Sequence, residues 1–494
     1  MSQKHLENKR KLTRKERKAL TVQFRSDNPG LEVVHADAAG IDIGNDTHYV
    51  AVAPDRDPEP VRSFACFTED LRRMALWLKK CGVRSVAMQS TGVYWIPVYD
   101  VLEEAGLEVY LVNARHTKSL PGRKSDVQEC QWLLKLHTFG LLNHSYRPAG
   151  DVLVLRALWR QRSEHVQALS QSIQRMQKAL TEMNLQLANV ISDISGVTGQ
   201  AIIRRILAGE RDPRKLAQMR DYRIKASEET IAKSLEGNWR RELLFILQQQ
   251  VDIYDGYQKR IAECDRQLEK ELKELPTQEA REAAGDQTED QTGEVVGEEE
   301  KPKRRKTKKK QRPHAPGFDL QTELHRISGV DLTRIDGVDV MTAQTVMSEI
   351  GCDVSRWKTE GRFVSWLGLC PDNQISGGKV LQRRTRHVVN RLATALRISA
   401  WSLLRSQSYL GAQYRRLRTR LGAPKAITAM AARLARLIHR MLTYGQEYVD
   451  KGMSYYESRH AAQQLRFLNK KANEAGWQLV PASWKLTPAE EVAK

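Results

Sequence analysis

The stretch DNQISGGKV, Asp372 to Val380, places one hydroxyl, Ser376, before two glycines and a lysine. From Ser376 through Gln446 the chain has no Asp or Glu, and between Lys379 and Arg440 it has fifteen Lys or Arg. A serine hydroxyl is a weak nucleophile until a base or a metal activates it. Nothing within Ser376–Lys379 is an obvious base. Lys379, Arg383 and Arg384 can instead hold a phosphate through charge-assisted hydrogen bonds. Two readings stand side by side: an ordinary turn that touches phosphate, and a nucleophile placed beside a polyanion. Gly377 and Gly378 allow a close backbone approach in either case.

A second set of groups lies near the front of the chain. Asp42 sits within the apolar run GIDIG. A carboxylate in such a strand is costly unless it is paired, hydrogen-bonded or bound to metal. Asp126 and Glu129, three apart at the start of a helical stretch, share one helix face. A helix N-terminus favours acids in any case, so that pair alone has a structural explanation. Together the three carboxylates form the hard oxygen set that suits Mg²⁺ or Mn²⁺, ions able to assist a phosphodiester displacement.

The elements that must position these groups can be read from periodicity. In residues 35–147, AAGIDIG, HYVAVAP and VRSFACF read as strands, with a turn at Gly44–Asp46 between the first two. Thereafter helix, strand, helix, strand and helix follow. Gly82, Gly106 and Gly140 close the three helices, and Ser125 with Gln128 opens the third as a capping box. The pattern predicts a mixed sheet with helices against it.

From Val166 the period changes. Val166, Leu169, Ile173, Met176, Leu180, Met183, Leu187 and Val190 alternate three and four apart, a seam of about three and a half heptads. Tyr254, Tyr257, Ile261, Cys264 and Leu268 repeat it less cleanly. Two long helices packed within one chain and a coiled coil joining subunits fit equally. Residues 276–317 read as a charged, disordered linker: nine acids between Glu279 and Glu300, then nine bases between Lys301 and Arg312. Residues 318–450 read as mainly helical. Ile335–Val338 ahead of a helix matches either the hairpin of a helix-hairpin-helix phosphate clamp or a plain turn. Arg415, Arg416, Arg418 and Arg420 are too clustered to face one core, which suits a phosphate track or a solvated face. Trp366 and Trp401 are expected in the core. Residues 1–34 read as a basic arm and 451–494 as a C-terminal tail.

The chain of 494 residues carries a formal net charge of +20, which favours phosphate backbones or anionic membranes over acidic small molecules. Its apolar runs fall far short of the ~20 residues of a spanning helix, and the charged N-terminus is not a secretory signal. Six dispersed cysteines without a C-x-x-C fit reduced thiols in a cytosol. Nucleic acid is therefore the expected partner and a membrane is not.

GIDIGNDTHYVAVA, QSTGVYWIPVYDVLEEAGLEVYLVNARHTKSLPGRKSDVQECQWLLKLHTFGLL and LGLCPDNQISGGK, in this order across residues 35–450, resemble the insertion-sequence one-ten family of transposases, closest to its eleven-eleven branch. The resemblance implies a RuvC/RNase H-like α/β domain at 35–147, a helical coiled-coil region at 148–275 and a mainly α transposase domain carrying a serine at 318–450. It makes Ser376 the catalytic nucleophile, with Asp42, Asp126 and Glu129 catalytic and metal-binding. Gln89 stands where the family has glutamate, so one ligand brings no charge, and Asp46 is the nearest acid able to replace it. Glu129 stands where the family has aspartate. Mg²⁺ or Mn²⁺ is the implied cofactor. Implied partners are DNA at element ends and target, a guiding bridge RNA, and further copies of the chain in a dimer or tetramer; the implied setting is a bacterial cytoplasm, at the nucleoid. Lys379, Arg383, Arg384, Arg415, Arg416, Arg418, Arg123 and Lys124 are the expected nucleic-acid contacts. A metal-dependent nuclease or junction resolvase that uses water, and a binder weakened at Gln89, are the competing functions.

Overall fold

The computed structural model describes residues 31–90, 92–113, 125–148, 150–278, 314–386, 388–445 and 448–480. The chain divides into two compact units, Met1–Arg147 and Pro148–Lys494.

The first unit is built on a five-stranded sheet in the order β3-β2-β1-β4-β5. Strands β1 (Ala38–Ile43), β2 (Thr47–Val52) and β3 (Val61–Ala65) form an antiparallel meander. Strands β4 (Ser85–Gln89) and β5 (Glu108–Val112) then continue the sheet in parallel with β1. Parallel neighbours need crossovers, supplied here through helices α1 (Thr68–Lys80) and α2 (Trp95–Glu104), while α3 (Asp126–Thr138) follows β5. Gly82, Gly106 and Gly140 follow the helices with positive φ, the left-handed exit that lacks a Cβ penalty in glycine.

Strand alternation divides the sheet into two faces. Ala39, Ile41 and Ile43 join Val86, Met88, Leu71, Met74, Leu78, Val98 and Leu102 in one buried cluster, with α1 and α2 over it. Gly40 and Asp42 turn to the opposite face, where α3 packs. At the far end of that face the His137 ring stacks on His35 at 4.4 Å, meets Tyr110 at 4.5 Å and hydrogen-bonds Ser85 Oγ through Nε2 at 2.9 Å.

In the second unit, α4 (Gly150–Glu182) and α9 (Arg241–Glu274) pack side by side, antiparallel, in one chain. The seam residues Leu169, Met176 and Leu180 meet Leu247, Val251, Tyr254 and Ile261 in one cluster. The helix expected to run on to Val190 ends at Glu182. Asn184 takes φ 59°, and Leu187–Val190 forms a separate short helix, α5. Helices α6 (Val197–Leu207), α7 (Pro213–Ala217) and α8 (Glu228–Ser234) close the cluster through Ile202, Ile206, Leu216 and Ile231. Thus the heptad seam is covered from within the chain. Arg162, almost wholly buried on α4, is paired with Asp265 at 2.5 Å and donates to His314 O at 2.7 Å.

Helices α10 (Leu320–Ser328) and α11 (Val340–Ile350) follow. Buried Glu349 accepts from Arg160 at 2.8 and 2.9 Å and is ion-paired with Arg156 at 3.3 Å, fixing α11 to α4. Helix α12 (Glu360–Trp366) leads to a two-stranded hairpin, β6 (Pro371–Ser376) and β7 (Lys379–Thr385). Helices α13 (Arg391–Ser402), α14 (Tyr409–Leu421) and α15 (Ala423–Tyr444) complete this core, and α16 (Gly452–Glu474) packs on α14. The stretch read as a tail therefore begins with a helix of 23 residues. Trp401, expected inside, is 64% exposed, whereas half-buried Trp366 packs on Trp357 at 4.8 Å. Residues 1–30, most of the charged stretch (279–313) and 481–494 lie outside the described residues. Among the described residues no helix is long and apolar enough to cross a membrane, and all six cysteines are free thiols.

Burial, helped by nearby His35, lowers the pKa of His137 from 6.5 to about 4. An unfolded chain takes up this proton below pH 6.5 and the folded chain refuses it until about pH 4. Stability is full above pH 6.5 and falls as pH drops through that window, by roughly 3 kcal/mol in all. Thermal melts of the full chain are expected to show this loss in the first unit between pH 7 and 4.5, and His137→Gln is expected to flatten it. An unchanged slope in the variant contradicts the assignment.

Candidate active site

The site in the first unit starts from a missing side chain. A Cβ added to Gly40 would lie 2.3 Å from both Cys130 O and Leu134 N. The strand and helix backbones are that close because residue 40 is glycine. Cys130 and Leu133 of α3 are fully buried against the sheet. Asp42, two residues beyond Gly40, is on the same face and half-buried. Exposed Asp126 stands one turn before Cys130 and half-buried Glu129 directly before it, both in the first turn of α3. Ser125 caps that turn by accepting from Gln128 N at 3.3 Å, and the helix dipole favours both acids there.

The Cys130 thiol reports how these acids converge. Its pKa is pushed up to about 12, first by burial and further by the negative charges of Asp42 and Asp126. Its Sγ donates to Val127 O at 3.1 Å. A carboxylate from β1 and one from α3 therefore bear on the same buried sulfur. Gln89 ends β4, half-buried. Since Ile41 pairs with Met88, one further step in the register sets Gln89 beside Asp42. Asp46, the nearest spare acid, lies exposed on the β1–β2 turn, and its carbonyl accepts from Cys66 N at 3.1 Å. That ties the turn towards β3, across the sheet from β4. The Asp46 carboxylate itself accepts from Asn45 Nδ2 at 2.8 Å.

The donors are hard oxygens, the set a divalent cation such as Mg²⁺ prefers. Among the described residues, no three His, Cys, Asp or Glu side chains gather closely enough to enclose a metal ion. An open pair of carboxylates still fits Mg²⁺, which commonly takes one or two carboxylates and completes its shell with water and substrate phosphate.

Ser376 lies elsewhere, in the second unit, on a structure the sequence reading missed. It ends β6 and pairs with Lys379 across a two-residue turn, Gly377–Gly378, at φ 55° and 76°. Positive φ at both central residues is the type I′ geometry whose twist matches a hairpin. All six residues of β6 are exposed. Asp372 pairs with Arg384 and Ser376 with Lys379, and the register shifts between Gln374 and Ile375. Lys379, beside the serine, and Arg384, farther back, are both exposed. The strand's carboxylate, Asp372, is four residues back from the serine, about 13 Å along the strand. The hairpin supplies cations for a phosphate but no base for the hydroxyl. Arg383 belongs to β7, but its side chain, with Arg123 and Lys124, lies outside the described residues.

The remaining basic residues divide. Arg415 is half-buried and donates to Ser406 O at 2.5 Å and Leu404 O at 3.3 Å, so it caps the turn before α14. Arg416 is exposed and bonded to His460 Nδ1 at 2.6 Å. Arg418 and Arg420 are exposed on α14. At the expected phosphate clamp, Gly337 has φ 88°, but Asp339 caps α11 by accepting from Thr342 N at 2.8 Å. That carboxylate takes an amide a phosphate would need and repels the phosphate too, so the plain-turn reading is favoured.

Gly40 and Cys130 were missed in the sequence. The small-residue run Ala38-Ala39-Gly40 was the available sign of close approach. Gly40→Ala is expected to force α3 off β1, costing several kcal/mol as an overpacked core does and lowering the thermal midpoint. In the same variant Cys130 is expected to become reactive to iodoacetamide at pH 8, where the native thiol is buried and protonated. A stable variant with an unreactive Cys130 contradicts the contact.

With this geometry described, comparison with known families gives two matches. Residues 39–185 match a transposase model, DEDD_Tnp_IS110. Residues 331–415 match the model for transposases of the IS116/IS110/IS902 family. The first segment contains Asp42, Gln89, Asp126 and Glu129; the second contains Ser376. No curated protein matches the chain.

Proposed function

From these two IS110-type segments, which make the chain a DNA transposase or recombinase, we propose that it joins donor and target DNA by serine attack on phosphodiesters. In this reading Ser376 Oγ gives up its proton, attacks phosphorus and forms an Oγ–P ester. The P–O bond to one deoxyribose breaks, and the leaving oxygen takes up a proton. The phosphoserine link conserves the phosphodiester's energy, so the return attack by a deoxyribose hydroxyl needs no nucleotide triphosphate. Lys379, paired with the serine, and Arg384 neutralise the phosphate as charge gathers on its oxygens.

Asp42, Asp126 and Glu129 are the proposed metal ligands, with the amide oxygen of Gln89 as a neutral fourth; since the described residues hold no closed cage of three acids, the cation and the substrate phosphate would have to draw them together. A divalent cation held there supplies Lewis-acid activation and charge neutralisation. The single observation carrying this half is the seating of α3 on β1 at Gly40, with His137 at its far end on Ser85, which turns the first turn of α3, with Asp126 and Glu129, towards the end of β1 that carries Asp42. It supports carboxylates brought together by the fold, where the helix terminus alone would account only for Asp126 and Glu129. We extend the proposal to a guiding bridge RNA and an assembly of several copies, as in the eleven-eleven branch. The charge of +20 supports a polyanionic partner.

The test is a denaturing gel of full chain, Mg²⁺, labelled donor and target duplexes, and RNA transcribed from the DNA beside the gene. The wild type is expected to give protein-linked DNA bands that vanish in Ser376→Ala and Asp42→Ala. Cleavage that persists in Ser376→Ala without a linked band would make water the nucleophile. Binding without breakage in Mg²⁺ and Mn²⁺ would leave only a binder.

A further inference from the structure

The C-terminal ends of β1, β3, β4 and β5 lie along one edge of the first unit's sheet, because β1 runs parallel to β4 and β4 to β5, and β2 is antiparallel to both β1 and β3. Asp42 and Gln89 are on that edge. Directly after Gln89 the chain projects a turn that the chemistry above does not use. Gly92, at φ 57°, starts it. Val93 is 66% exposed, Tyr94 47% and Ile96 38%. Three large apolar side chains within four residues, facing solvent beside a set of acids, are unexpected on a purely structural turn.

The base of this turn is rigid. Trp95 meets Tyr99 edge-on at 6.0 Å, the Arg147 guanidinium lies 4.0 Å over the Tyr99 ring, and Val98 and Leu102 are fully buried. Helix α2, which the turn opens, has no side-chain N-cap and no acid in its first turn. The turn therefore presents an aromatic and two aliphatic side chains and carries no carboxylate of its own. A paired duplex shows mainly phosphates and sugars on its outside, which an apolar turn cannot use. An unpaired base offers a π-face, and stacking on an aromatic ring is how proteins hold it without regard to sequence.

We propose that Val93, Tyr94 and Ile96 form a stacking platform for an unpaired nucleobase next to the linkage to be cut. Tyr94 supplies the ring and the two aliphatic side chains its apolar surround. This rests on the proposed function, because it assumes that DNA reaches the Asp42 edge. Tyr94 is a positioning residue: it fixes the strand and takes no part in bond making.

The test uses the full chain in EDTA, with two labelled DNA probes of equal length. One is fully paired; the other carries a short bubble containing 2-aminopurine. The wild type is expected to bind the bubble more tightly and to quench the 2-aminopurine. Tyr94→Ala is expected to weaken bubble binding about tenfold, the equivalent of ~1.4 kcal/mol, with loss of quenching and no change on the duplex. Tyr94→Phe keeps both properties. Phe67→Ala, exposed on the same edge beyond β3, also leaves both unchanged. Equal weakening on both probes, or none, overturns the platform. So does a Tyr94→Ala chain that loses self-association in sedimentation while its bubble binding is intact, since the turn then contacts protein. Cleavage is not needed for this readout. A wild type that discriminates the probes but never cuts DNA would remove the catalytic reading and leave the platform standing. A Tyr94→Ala chain that discriminates normally removes the platform alone.

Discussion

The first unit depends on one close contact, the backbone of α3 lying on β1 at Gly40. A methyl group there would sit 2.3 Å from a carbonyl oxygen and an amide nitrogen, and neither can yield without moving the helix. The contact has two consequences. It buries Cys130 and Leu133 on the sheet, and it sets the first turn of α3 near the end of β1. Two acids distant in sequence are thereby held where both act on one sulfur. The end of β1 where these acids lie is also the edge to which β4 delivers Gln89 and the apolar turn after it.

The second unit solves a different problem. Its long helices α4 and α9 cover one another, and buried charges fasten the next layer. Glu349 binds two arginines of α4, and Arg162 joins α4 to α9 and to His314. Removing one member of such a set leaves an uncompensated buried charge, so the pairs fix one arrangement of α11 on α4. The hairpin carrying Ser376 contrasts with this core. Its strands pair with each other, and every residue of β6 faces solvent. Two strands alone are marginally stable in water.

What the sequence made legible was local. The strands around Asp42, the capping serine at 125 and the glycine exits at 82, 106 and 140 each follow from nearest-neighbour chemistry, and the structure has all of them. Other features were set by tertiary context. The hairpin at Ser376 escaped notice because its strands are polar and exposed, without the alternation that marks a half-buried strand. Gly377–Gly378 suits a close backbone approach, but two glycines at positive φ are also the tightest hairpin turn. The heptad seam ran on past Glu182 because Met183 and Leu187 are buried too, but by a turn and a short helix. Arg415 looked like part of a phosphate track, yet it serves two carbonyls of its own chain. Trp401 was assigned to the core by residue type, and it stands in solvent. The position of Gln89 beside Asp42 was legible only through the resemblance, since strand register is a long-range property.

The central claim is that Asp42 and Asp126 share one divalent cation. Anomalous diffraction from crystals of the full chain grown with DNA and Mn²⁺ tests it directly. The account predicts a peak about 2 Å from an oxygen of each carboxylate, absent from crystals of Asp42→Ala. A peak elsewhere, or an Asp42 carboxylate tied to a cationic side chain with no metal beside it, would contradict the account.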